Sequence, residues 1–229
     1  MVFVYSFDSV KKILETSIDS LVDNFIREPY IHRCEHSLHC ELYTMLTSHR
    51  ALQGLYPIGN SPYKASLIHK EWPEPSIRAD KKKRGNVDLA ILSFEDLAHP
   101  LIASENQGLL PQNAHGMKEE AVFIKGYLKP DFIVEMGLNY EVSKHLKSDQ
   151  AKLLNSGYSK NIQGKTAYLV HFWQPRTRTH SNGIPEKELQ AIKNFIVNDP
   201  QVEIAVAVFA KSHIWVKHLS DKVITEIPI

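Results

Sequence analysis

Three acidic residues stand where carboxylates are costly. Asp88 lies in Val87-Asp88-Leu89-Ala90-Ile91-Leu92, a run otherwise built from apolar residues. Glu135 lies in Phe132-Ile133-Val134-Glu135-Met136, again among apolar neighbours. Glu35 heads a helical stripe, because Glu35, Leu38, Leu42 and Leu46 recur at i, i+3, i+7 and i+11. A charge on a core element is unfavourable unless it is paired or holds a metal. Carboxylate oxygens are hard ligands that suit Mg²⁺ or Mn²⁺, and a bound Mg²⁺ commonly keeps waters plus the phosphate oxygens of a substrate. Taken singly, each of the three also reads as an edge residue or an ion-pair partner. Their order along the chain, a helix Glu, then a strand Asp, then a strand Glu followed by a helix, gives the set its weight.

The elements that must position them follow from periodicity. Val10, Ile13, Leu14, Ile18, Leu21, Val22 and Phe25 recur at three- and four-residue steps and predict an amphipathic helix, capped by Asp8 or Ser9 and stopped before Pro29. A second helix is expected over about 31–50, with Leu38, Leu42, Met45 and Leu46 inward. A loop rich in Gly and Pro follows. Residues 65–72 and 87–92 read as an antiparallel pair with a long polar connection. Residues 94–130 read as an insertion, with a short helix over 118–127. Beyond it come a strand over 132–136, a helix over 141–155, a strand over 165–174, a helix over 185–197, a strand over 202–209 and a last strand over 214–219. Strands alternating with helices imply parallel crossovers, so the expected fold is α/β of mixed α+β character. It is one domain over 1–229, with a central mixed sheet flanked by helices and an N-terminal helical pair within 8–50.

Composition sets outer bounds. The chain has 229 residues, 43% of them hydrophobic and 23% charged, which suits one globular domain with a sizeable core. Lys and Arg number 27 against 26 Asp and Glu, so any nucleic-acid surface must be a local patch rather than a basic coat. The apolar runs fall far short of the roughly 20 residues of a membrane helix, and a charged opening argues against a secretion signal. With only Cys34 and Cys40, a disulfide framework is not expected, and the expectation is a reduced, cytoplasmic protein with no membrane partner.

The order of these motifs resembles the PD-(D/E)xK nuclease superfamily, the restriction-endonuclease-like fold. EPYIHRCEHSLHCELYTML resembles its opening helix with Glu35; LIHKEWPEP followed by RGNVDLAIL resembles its metal-bearing hairpin with Asp88. DFIVEMG resembles the next core strand with Glu135, and KHLKSDQAKLL the helix after it. The resemblance covers about residues 20–215. It implies metal-dependent hydrolysis of a nucleic-acid phosphodiester, DNA rather than RNA, with Asp88 and Glu135 holding Mg²⁺ or Mn²⁺ and Glu35 assisting as a further ligand or through a water. Many nucleases of this fold work as dimers, and a homodimer is compatible with the resemblance. One departure is plain: the family's Lys, two residues after the Glu, is replaced by Gly137. Lys70, or alternatively Lys144 or Lys147, would have to substitute for it. Failing that, the chain would be a degenerate relative that binds nucleic acid or a protein partner without cutting.

Several features remain beside that set. Lys81, Lys82, Lys83 and Arg84 form the densest basic run, close in sequence to Asp88, and are candidates for phosphate contacts. The bland alternative is a solvated hairpin turn. His32, His36 and Cys40 fall at helical i,i+4 steps, as zinc ligands do, but no second ligand pair with structural-zinc spacing exists, so thiols and imidazoles without metal are favoured. Glu71 is an alternative to the hairpin Asp, Asp131 follows Pro130 too closely before Glu135, and Glu41 lies off the apolar stripe of Glu35. Trp72, Trp173 and Trp215 read as core or sheet fillers before base-stacking platforms. No phosphate-binding glycine loop and no nucleophile elbow occurs.

Overall fold

The computed structural model describes residues 6–60, 62–74, 85–99, 130–155, 166–174, 183–198 and 201–229. Helix α1 (Phe7–Arg27) buries the expected stripe, with Val10, Leu14, Ile18, Leu21, Val22 and Phe25 fully inside. Its N-cap is Ser6 rather than Asp8 or Ser9. Asp8 instead falls in the first turn, where its charge meets the positive end of the helix dipole. Helix α2 (Glu35–Ser48) starts later than expected, because the chain from Glu28 to Cys34 runs through turns and bends; a short α3 (Arg50–Gln53) follows after His49. The supposed loop holds a small ladder of β1 (Tyr56–Pro57) and β2 (Lys64–Ala65).

The main sheet contains β3 (Ile68–Pro73), β4 (Asn86–Leu92), β5 (Pro130–Leu138), β6 (Thr166–Trp173), β7 (Glu203–Phe209), β8 (His213–Lys217) and β9 (Thr225–Pro228). A short α4 (Phe94–Leu97), capped by the Ser93 hydroxyl, follows β4. A π-helical turn (Val142–Leu146) leads into α5 (Lys147–Asn155), and α6 (Glu186–Asn198) lies between β6 and β7. The helix expected over 118–127 and the basic run Lys81, Lys82, Lys83 and Arg84 lie outside the described residues.

Spatial order equals chain order, β3 through β9, with β5–β6–β7 parallel and every other neighbouring pair antiparallel. Two parallel crossovers that advance in the same direction, both right-handed, must place both helices on one face. That face receives α5 and α6: Lys152 of α5 reaches Glu135, and Lys193 of α6 lies 3.2 Å over the Trp215 ring. The opposite face is left for α1. Phe7 stacks on Phe132, Phe25 packs on Phe172 and Phe209, and the Tyr168 hydroxyl donates to Glu15. Helix α2 packs on α1 and against β5. Among the described residues no helix is long and apolar enough to cross a membrane.

Charges tie the first helix to the last hairpin. Asp19 accepts the Leu219 N–H at 2.7 Å, and His218 lies 2.9 Å from Asp23 and 3.2 Å from Asp221. Burial pulls His218 down, but the bonds to Asp23 and Asp221 outweigh it and its pKa is raised. A base with a raised folded pKa contributes its full stability below the ordinary histidine value and loses it as pH rises through the raised one. Asp23→Asn should therefore cost about 0.5 kcal/mol at about pH 5.5 and clearly less near pH 9, read by thermal denaturation at both pH values. Equal losses at the two would show that the His218 charge plays no part.

Candidate functional site

The site forms where β4 and β5 stop pairing as an ordinary ladder. Their last register partners in this direction are Leu89 and Val134. One step further Asp88 and Glu135 come alongside, and the Met136 N–H donates to Asp88 Oδ2 at 2.7 Å. A side-chain carboxylate thus takes up a strand N–H. Both acids are deep: Asp88 is 8% exposed and Glu135 1%.

Helix α5 brings the counter-charge. Lys152 Nζ lies 2.6 Å from Glu135 Oε2, 3.2 Å from Asp149 Oδ1 and 3.4 Å from the Asn86 carbonyl. One turn on, Asn155 donates to Glu74 at 2.9 Å, so α5 is pinned to the end of β3 and the start of β4 as well. A Cβ at Gly85 would collide with the Glu74 carboxylate, which makes glycine the residue that lets the chain pass into β4. Helix α2 closes the other side. His39 Nε2 lies 3.5 Å from Asp88 Oδ2 and 3.7 Å from Glu35 Oε1. Tyr140 adjoins Glu35 and stacks on His145 at 3.6 Å.

Burial pushes the Asp88 carboxyl up to about 7, against the Met136 N–H and Lys152. Burial and the neighbouring Asp88 hold Glu135 well above the usual carboxylate range, and burial raises Glu35. Lys152 is pulled down by burial, but Glu135 and Asp149 outweigh this and it stays a cation. Burial, with the charge of Lys70, lowers His39 to about 4, so its imidazole is neutral at pH 7. Among the described residues, four carboxylates share one buried ammonium, and their mutual repulsion and burial favour either a proton or a further cation among them.

Glycine at 137 has a physical cause. Gly137 pairs with His171 of β6, and a Cβ at 137 would lie 2.9 Å from His171 Nδ1 and 3.3 Å from the Tyr140 ring. His171 is buried and cannot swing into solvent. A long side chain on the strand is excluded, and the ammonium comes from α5 instead.

None of the lysines expected to replace it stands beside Glu135 as Lys152 does. Lys144 is exposed and paired with Glu141 at 2.9 Å; Lys147 is exposed and lines a groove against α6. Lys70 sits 3.8 Å from Cys40 Sγ, near enough for its charge to act on His39. Glu35, Asp88 and His39 converge, and Asp88 adjoins Glu135. Glu41 instead bonds His32 at 3.0 Å and Asn24 at 2.8 Å, and His32 also meets Ser37. With both nitrogens engaged, His32 is not half of a zinc pair with His36. Glu71 adopts a left-handed backbone, φ 52°, beside His36 and His39. Trp72 and Trp173 are buried, and Trp215 is covered by Lys193.

Sequence reasoning missed Lys152, Asp149 and His39. A usable signal existed for Asp149: it falls three residues after Leu146 and four before Leu153, on the buried stripe. Lys152, three residues from Asp149, then follows as its partner. His39 follows Leu38 and precedes Leu42, on the inward side of α2.

No protein-family model matches the chain, and neither a curated protein nor a solved structure matches it. The donors themselves fit a divalent cation. Glu135 Oε1 and Glu35 Oε2 are buried oxygens with no hydrogen-bond partner among the described residues. Glu135 depends on Lys152 as its cation. Lys152→Ala should destabilise the protein by about 3 kcal/mol, because it strands a buried charge. Adding Glu135→Gln should recover most of that loss in denaturant titration. A double variant no more stable than Lys152→Ala would mean that the pair is not coupled.

Proposed function

We propose that the chain is a metal-dependent nuclease of the PD-(D/E)xK kind that hydrolyses phosphodiesters of nucleic acid, DNA rather than RNA. The observation that carries the reading is Lys152. Its ammonium stands on Glu135 beside Asp88, so an Asp, a Glu and a Lys meet despite Gly137. Asp88 and Glu135 would hold the ion, with Glu35 on the far side of Asp88. A divalent ion supplies Lewis-acid polarisation of the phosphate and acidifies water there.

The chain's own groups have separable tasks. Lys152 remains protonated, so it serves as a donor and a positive charge, not as a base. It orients Glu135 and sets a fixed positive charge beside the place where negative charge develops on the phosphate. Glu35, with its raised pKa and an oxygen free of hydrogen bonds, is the group suited to take a proton from water. Lys81, Lys82, Lys83 and Arg84 belong to the same proposal as phosphate contacts. Two exposed free thiols, Cys34 and Cys40, suit a reducing compartment, so a cytoplasmic setting is part of it.

Cleavage of plasmid, single-stranded DNA and RNA with Mg²⁺ and Mn²⁺ tests the activity. Asp88→Ala, Glu135→Ala and Lys152→Ala should each lose at least about a hundredfold, the scale of removing a stabiliser of developing charge. Lys144→Ala and Lys147→Ala should cut as the wild type does. Full activity in Lys152→Ala would sink the assignment. DNA binding should weaken steeply with salt, and replacing Lys81, Lys82 and Lys83 by Ala should flatten that dependence. An unchanged salt slope excludes the run from the interface.

A further inference from the structure

We propose that His39 is itself a ligand of the ion at this site, and that the site therefore favours a first-row transition ion over Mg²⁺. The inference rests on the nuclease reading for the location of the ion and adds a nitrogen donor to it.

His39 is fully buried on α2, and neither of its ring nitrogens has a hydrogen-bond partner among the described residues. A neutral imidazole carries one donor and one acceptor, and buried polar atoms are nearly always paired. Its Nε2 nonetheless has two carboxylates close by, Asp88 Oδ2 at 3.5 Å and Glu35 Oε1 at 3.7 Å. Those separations are long for hydrogen bonds and right for ligands of one ion. Around an ion about 2.1 Å from each donor, ligand atoms stand about 3.0 Å apart at octahedral angles and about 3.4 Å apart at tetrahedral ones, so the two separations lie within a few tenths of an ångström of tetrahedral ligand spacing. Glu35 and His39 are four residues apart on one helical face, so α2 presents an oxygen and a nitrogen together while β4 supplies the third donor.

A nitrogen donor changes selectivity. Mg²⁺ takes oxygen ligands and gains little from imidazole, whereas affinity for nitrogen-containing sites rises along the transition series from Mn²⁺. Mn²⁺ is the weakest of that series, so preference for it over Mg²⁺ is the strictest case. His39 also adjoins an outer cluster: donor atoms of His36, His39 and Glu71 lie within 4.8 Å of one another. Because Nε2 meets both Glu35 and Asp88, the ion is assigned to the inner set.

The experiment is Mn²⁺ titration of the full chain without nucleic acid, followed by electron paramagnetic resonance, with pulsed spectra to detect nitrogen coupling and Mg²⁺ as competitor. The wild type should bind Mn²⁺ at least about tenfold more tightly than Mg²⁺ and show ¹⁴N coupling. His39→Gln should lose the coupling and weaken Mn²⁺ binding at least tenfold. Should that variant fail to fold, wild type grown with ¹⁵N-histidine must show ¹⁴N coupling give way to ¹⁵N coupling, and His36→Gln, at an exposed position, must keep it; loss of the coupling in His36→Gln overturns the assignment to His39. Mn²⁺ bound without nitrogen coupling overturns the His39 ligand and leaves the carboxylate site standing. Coupling that survives Asp88→Ala moves the ion to the outer His36–Glu71 cluster and equally overturns it. Failure of the wild type to bind either ion removes the metal site and the nuclease reading together.

Discussion

The contact between Lys152 and Glu135 governs the centre of this protein. A carboxylate on an interior strand of a sheet is tolerable only with a cation beside it, and no cation can reach it along the strand. His171 fills the space next to Gly137, so the compensating charge has to arrive from a helix. That requirement fixes the height and rotation of α5 over the sheet. Asn155 on Glu74 and Lys152 on the Asn86 carbonyl are the other consequences of the same placement.

Chain direction does the rest. Successive strands add on one side, so both crossover helices are committed to one face and α1 to the other. Asp88 lies at the point where β4 leaves β5, which makes its carboxylate reachable from α2 as well as from α5. The acids therefore occupy a seam between helices that belong to different parts of the chain. Such a seam holds strong mutual repulsion, relieved in part by one ammonium, and the three groups Glu35, His39 and Asp88 approach without bonding to one another.

Much of this was legible in the residues, and for a common reason. Strands β4, β5, β6 and β7 are continuous apolar runs because both faces are covered, so they announce themselves, and a charge inside such a run stands out. Asp88 and Glu135 could be picked for that reason. The stripe of α1 is equally plain. Strand β9 could not be read: Thr225, Glu226, Ile227 and Pro228 are all exposed, and only pairing with β8 makes them a strand. Lys152 was hidden differently. A lysine on a polar helix looks like solvent-facing charge, and only the crossing of α5 over β5 buries it. His39 was obscured by its neighbours, since it lies among His32, Cys34, His36 and Cys40, a run that reads as thiols and imidazoles without metal rather than as one inward imidazole.

The ties between α1 and the C-terminal hairpin carry a consequence for how the chain comes to be folded. His218 and Asp23 are separated by 195 positions. Ribosomes add about 5–20 residues per second, so an emerging α1 waits on the order of 10–40 s for its last partners. Throughout that interval its apolar stripe has α2 to lean on but no β7 or β8. The sheet, by contrast, can assemble strand upon strand in the order of synthesis. Among the described elements α1 thus waits longest for its last partners, and its docking joins the first-made helix to the last-made hairpin.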